Sequence, residues 1–97
     1  MKVTIEGIKN DSYVDKKTGE LKERITFSFS MPFKNVEGAI GKDVGVETFT
    51  PRDFPEQFAE FRDNPKKYIG KTAILSKNVR TVGDKSWAYL EELEVLA

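Results

Sequence analysis

Apolar and polar residues alternate with period two over much of this chain, the pattern of strands that bury one face. Val3 and Ile5 alternate with Lys2, Thr4 and Glu6 until Gly7 interrupts and Ile8 falls on the opposite parity. That break predicts a bulge or sharp bend at Gly7, re-aiming a first strand that Tyr13-Val14 continue. A turn over Lys16-Lys17-Thr18-Gly19-Glu20 follows, with Gly19 at the position that needs positive φ. The clearest alternation runs from Leu21 to Met31. Ile25, Phe27, Phe29 and Met31 share one face, and Lys22, Arg24, Thr26, Ser28 and Ser30 share the other. One face is core, and the other is polar, cationic at its head and free of carboxylates.

Pro32 to Lys42 keeps no period and reads as a long loop of the kind that often binds ligands. A third strand spans Val44 to Thr50, with Val44 and Val46 facing one way and Glu47 and Phe49 the other. Thr50-Pro51-Arg52-Asp53-Phe54-Pro55-Glu56 then carries helix-start chemistry. Pro55 fits only a first turn, making Asp53 the expected N-cap and Glu56 its capping-box partner. The helix runs to about Asp63, with Phe54, Phe58 and Phe61 on one stripe against the sheet, and Asn64-Pro65 stops it. Two further runs, Lys71 to Val82 and Lys85 to Leu96, flank Gly83-Asp84, a tight-hairpin signal. In the last run Trp87 and Tyr89 share parity with Leu93 and Val95, whereas Leu90 and Leu96 do not. A bulge near Glu91-Glu92 explains the switch, as does burial of both faces, and the shared parity predicts that Trp87 and Tyr89 lie in the core.

Five strands with one helix between the third and fourth is the order of an OB-fold, a small Greek-key barrel. The expectation is a mainly β, five-stranded OB-fold-like Greek-key barrel forming a single domain over residues 1–97. A split β-sandwich or an SH3-like barrel with an inserted helix follows the same strand parity and stays open as an alternative.

Composition narrows the function. With 97 residues there is room for one modest core. There is no cysteine and no histidine, which excludes disulfides, thiolate chemistry and histidine general bases, and removes the commonest zinc ligand. Glu91-Glu92-x-Glu94 and Asp53-x-x-Glu56 are explained by a solvated strand face and a helix cap. No Gly-rich phosphate loop and no Asp-x-Asp-x-Asp spacing occurs, so the reading is a non-enzyme without cofactor or metal. No apolar run approaches a membrane span and no signal-peptide core follows Met1, so the expectation is a soluble, cytoplasmic protein.

Sixteen basic residues balance sixteen acidic ones, which argues against indiscriminate polyanion binding. The distribution is less even. Residues 64–90 hold six basic residues and one acidic, whereas residues 43–63 hold two basic and six acidic, and residues 91–97 three acidic and none basic. Aromatic residues interleave with the cations, as a binder of single-stranded nucleic acid requires: cations follow the phosphates and rings stack on the bases. The candidates are Tyr13, Phe33, Phe49, Trp87 and Tyr89 with Lys22, Arg24, Lys34, Arg52, Lys77, Arg80 and Lys85. Arg24 stands out because its strand face carries no acid.

The Met-Lys-Val-Thr-Ile-Glu start, the Thr18-Gly19 turn before a long strand, and the hairpin Tyr68-Ile-Gly-Lys-Thr-Ala-Ile-Leu-Ser…Val-Gly-Asp-Lys-Ser-Trp-Ala-Tyr-Leu together form a layout. It resembles the small phage-type single-stranded-DNA-binding, or helix-destabilising, proteins. The resemblance covers most of the chain and implies an OB-fold homodimer that coats single strands by Tyr and Phe stacking. The combined expectation is non-specific binding of single-stranded DNA in phage, plasmid or mobile-element replication, with RNA as a related ligand. Phosphates follow Lys22, Arg24, Lys77 and Arg80, with Lys34 in the loop beside Phe33, and bases stack on Tyr13, Phe33 and Trp87. The alternative is a protein-interaction barrel, an accessory subunit of a replication or conjugation complex. In either case the final hairpin is expected to frame the site, and the polar face headed by Arg24 to form it.

Overall fold

A computed structural model describes residues 1–33 and 37–96. Its strands are β1 (Lys2–Asn10), β2 (Tyr13–Val14), β3 (Leu21–Lys22), β4 (Ile25–Pro32), β5 (Lys42–Phe49), β6 (Thr72–Val82) and β7 (Lys85–Val95). Two helices, α1 (Pro55–Asp63) and α2 (Pro65–Tyr68), stand between β5 and β6. The long strands form one five-stranded antiparallel sheet in the order β5-β4-β1-β6-β7, and β2 and β3 pair separately. The run from Leu21 to Met31 is therefore two strands, and Tyr13-Val14 belong to the small hairpin instead of extending β1.

The bulge expected at Gly7 is present. The β1–β4 register slips between Ile5 and Gly7, so Ile5 pairs with Phe29 and Ile8 with Phe27. That slip brings Ile8, of opposite parity, onto the core face that Val3 and Ile5 occupy. It lets β1 serve two neighbours, β4 along its length and β6 only through Lys2–Thr4. Met1 adds two bonds to β6, since its ammonium donates to the Leu75 carbonyl at 2.8 Å and the Leu75 N–H donates to the Met1 carbonyl at 2.7 Å.

The sheet does not close into a barrel. β5 and β7 are its two edges, and no ladder joins them. The ion pair across the gap comes from β6, whose Lys77 reaches Glu47 of β5 with Nζ 2.7 Å from Oε1. Closure needs two edges to run together over several residues with matched tilt and stagger. Here the distal halves of β6 and β7 pair only with each other and leave the body, every residue from Lys77 to Tyr89 being exposed. Gly83 makes the turn at the tip with φ +62°.

The core gathers Val3, Ile5, Ile25, Phe27, Phe29, Ala73, Leu75 and Leu93 from the sheet. Phe49, Phe58 and Phe61 cover them from β5 and α1. The Phe rings meet edge to edge-on face, Phe27–Phe61 at 6.0 Å and 88°, Phe49–Phe58 at 5.9 Å and 87°. Such pairs add about 0.5–1.5 kcal/mol each beyond their area burial. Phe49 is thus core and not a stacking platform. Gly45 lets the Phe29 ring lie across β5, since a Cβ there would meet it at 2.6 Å. The helix begins one residue later than its capping chemistry implies: Phe54 holds the N-cap with no side-chain bond. The Asp53 carboxylate is taken by the Thr50 N–H and hydroxyl, both at 3.0 Å, so it fixes the turn into the helix and leaves the capping box unmade. Asn64 ends α1 as expected, and α2 follows directly.

Candidate nucleic-acid interface

The projecting arm, residues 77–90, is built by the Gly83-Asp84 turn. A two-residue loop pairs Val82 with Lys85, and the ladder then sets Arg80 opposite Trp87 and Asn78 opposite Tyr89. Below them the register slips between Ser76 and Lys77, which pair with Glu92 and Leu90, so Glu91 is the extra residue of a bulge. The bulge is where the sequence placed it, but its consequence is the reverse of core burial. One added residue exchanges the faces of everything beyond it. Leu90 now shares the face of Leu93 and packs on the core, while Trp87 and Tyr89 turn outward. Trp87 is 47 % exposed and Tyr89 38 %. The hairpin therefore carries an exposed aromatic and cationic face of its own.

On that outward face the two rings stand two residues apart, about 6.8 Å along the strand, with Arg80 and Asn78 across the ladder about 5.5 Å away. Among the described residues no carboxylate pairs with Arg80 or Lys85. The base of the arm is tied down: Lys77 to Glu47, and Asn78 Nδ2 donating to Glu91 Oε1 at 3.4 Å. Lys77 thus serves the seam between β5 and the arm, and its charge is already compensated.

A second concavity of about 450 Å³ lies between the β2–β3 hairpin and the turn after β5. Tyr13, Leu21, Lys22, Arg24, Thr50 and Arg52 line it, with Glu23 beside them. The hairpin is closed by Asp15, whose N–H donates to the Glu20 carbonyl at 2.8 Å and whose side chain accepts the Lys17 N–H at 2.8 Å. Tyr13 is half-exposed, and the Arg24 guanidinium lies 5.1 Å from its ring centre. Three residues expected at the site, Tyr13, Lys22 and Arg24, do converge here, joined by Arg52.

Their electrostatics differ from expectation. The polar face of β4 has no acid of its own, but neighbouring β1 and the turn after it supply two. Asp11 Oδ2 accepts from Arg24 Nε at 3.2 Å and from the Thr26 hydroxyl at 3.0 Å, and Glu6 accepts from Ser30 at 2.8 Å. Partial desolvation pushes the Asp11 carboxyl upward, but the bonds from Arg24 and Thr26 together outweigh it and hold its pKa below the usual aspartate value. Lys22 is bound to Glu20 at 3.1 Å, and that hydrogen bond raises the ammonium pKa. Arg24 and Lys22 are thus charge-paired and not free. Arg52 is exposed and has no ion pair among the described residues.

Phe33 is 39 % exposed but sits at the far end of β4 from Arg24, roughly 25–30 Å along the strand. The structure does not bring it to the groove, and Lys34 lies outside the described residues. Asn78 joins the candidate face beside Tyr89 and is absent from the residues expected there. Its position was readable from the two-residue loop, which fixes 82 opposite 85 and so 78 opposite 89. Comparison of the chain with protein-family models, curated proteins and solved structures returns no match.

Proposed function

We propose that this protein binds single-stranded nucleic acid without sequence preference, as a single-stranded-DNA-binding protein of phage, plasmid or mobile-element replication. The observation that carries the reading is the outward face of the arm, where Trp87 and Tyr89 stand beside uncompensated Arg80 and Lys85. Two rings offer sequence-tolerant stacking platforms and the cations a phosphate track. The strand order supports it. Numbered over the five long strands, 3-2-1-4-5 with a helix between the third and fourth is the order of an OB barrel opened between its third and fifth strands. OB-folds bind oligonucleotides on the second and third strands and on the loops after the first and fourth. Those loops correspond here to the β2–β3 hairpin, with Tyr13, and to the arm.

The test is anisotropy of a labelled oligo-dT together with Trp87 fluorescence at low salt. Binding reversed by NaCl is expected, since each neutralised phosphate contributes a slope of about 0.7 on single strands. Trp87→Ala or Tyr89→Ala should each weaken it by about 1–3 kcal/mol, roughly 5- to 150-fold. Absence of binding at micromolar protein overturns the reading. Competition between matched DNA and RNA strands separates the two polymers, and sedimentation tests the homodimer this reading includes. A second reading, an accessory interaction subunit, is favoured by the pairing of Lys22, Arg24 and Lys77 with carboxylates and by exposed Val44 and Val46 on edge strand β5. It predicts complex formation that salt does not weaken.

A further inference from the structure

A further concavity lies apart from the arm and from the β2–β3 groove. α1 lies beside the last turn of β7 and leaves a groove of about 510 Å³, within the range of small-ligand and peptide side-chain pockets. Phe61, Leu93, Val95 and Leu96 make its floor. Glu56, Glu60 and Glu94 stand on the rim, with Lys67 and Lys71 at the α2 end. The walls are fixed in place. Gln57 Nε2 donates to the Leu93 carbonyl at 3.1 Å, tying helix to strand, and the Tyr68 hydroxyl donates to Glu60 Oε2 at 2.7 Å, holding that carboxylate. Beyond the rim the charge is acidic. α1 and its lead-in carry Asp53, Glu56, Glu60 and Asp63 against Arg52 and Arg62, the latter bound through Nε to Asp63 at 2.9 Å. The end of β7 adds Glu91, Glu92 and Glu94 with no cation.

An acidic rim over an apolar floor repels a phosphate chain and complements a segment with both apolar and cationic side chains. We propose that the α1–β7 groove docks a short cationic, apolar peptide segment of a partner protein. Its apolar side chains rest on Phe61, Leu93 and Leu96, and its Lys or Arg side chains meet Glu56, Glu60 and Glu94. Leu93 is nine residues from the tip residue Asp84, roughly 30 Å along the strand, so groove and arm can be occupied together. The inference does not depend on what the arm binds. It also accounts for a zero net charge assembled from segregated acidic and basic surfaces.

The experiment is a ¹⁵N chemical-shift titration of the full chain with an acetylated, amidated hexapeptide alternating lysine with leucine or phenylalanine. Saturable shifts confined to Gln57, Phe61, Tyr68 and residues 93–96 are expected. Leu96→Glu should abolish them, and Glu60→Lys combined with Glu94→Lys should weaken binding by about tenfold, with oligo-dT affinity unchanged in the Leu96 variant. Thermal unfolding of each variant confirms that the fold is retained. The proposal is overturned by absence of saturable shifts at millimolar peptide, by shifts centred on the arm, or by equal binding of the peptide with glutamate in place of lysine. It is likewise overturned if the protein sediments as a dimer that Leu96→Glu disperses, since a second copy then covers the groove.

Discussion

β6 and β7 are one hairpin with two fates. Near the body, Ala73, Leu75 and Leu93 are buried in one core with Val3 and Ile5 of β1 and Phe58 and Phe61 of α1. Past Ser76 the same ladder continues without neighbours, and its largest side chains, Trp87 and Tyr89, face solvent. Both halves hold β-branched residues, and the two aromatic ones fall in the half that is exposed, so apolar content does not mark which half is covered. The difference lies in what lies alongside. β1 pairs with β6 only through Lys2–Thr4, and the Glu91 bulge then exchanges the faces of β7. Apolar residues mark a core only where another element covers them; elsewhere they mark a surface made for something else.

The contrast can be broken at its strongest point first. Leu75→Ala in the covered half should cost ~2–5 kcal/mol, because it empties a fully buried site, whereas Val79→Ala in the arm should stay within ~0.5 kcal/mol. Urea unfolding of the two variants measures both, and equal losses would show that the arm is packed. The next lever is the bulge. Deleting Glu91 should return Trp87 and Tyr89 to the face of Leu93. Oligo-dT binding should then be lost as fully as in the double alanine variant of both rings. Retained binding would mean that the outward face is not the platform.

Charge sharpens the comparison further. Arg80→Gln should lower the salt dependence of oligo-dT binding by about 0.7 in the logarithmic slope, the value for one phosphate contact. Arg24→Gln should change it less, since Asp11 already occupies that guanidinium. A larger change at Arg24 would move the phosphate track to the β2–β3 groove. The smallest effect is expected from Asp11→Asn. A carboxyl whose folded pKa lies below its unfolded value of 3.8 stabilises the fold above that pH and loses this as pH falls through the folded value. The variant should be less stable than wild type at pH 7, and the gap should narrow as pH falls below 3.8 in acid-unfolding curves. A gap that persists at pH 2 would assign it to the lost hydrogen bonds alone.

Much of this was legible in the chain. Alternation read from Leu21 to Met31 marked the faces of Ile25, Phe27 and Phe29, Gly7 marked the β1 bulge, and Pro55 with the Phe54, Phe58 and Phe61 stripe marked the helix and what it covers. Gly83-Asp84 set the hairpin register, and with it the opposition of Arg80 and Trp87. These features are local: a two-residue turn, a parity or a helical stripe is fixed by bonds and sterics within a few residues. Even the Glu91 bulge was visible as a change of parity.

The remainder depended on which strands became neighbours. That the sheet stays open, that Asp11 and Glu6 reach the polar face of β4, and that Lys77 is claimed by Glu47 all arise from pairings distant in sequence. So does the side of the Glu91 bulge that received a cover. Parity names two faces of a strand but not which of them another element will bury. In this protein that choice left Trp87 and Tyr89 outside, and turned the arm from a piece of core into its best candidate for a binding surface.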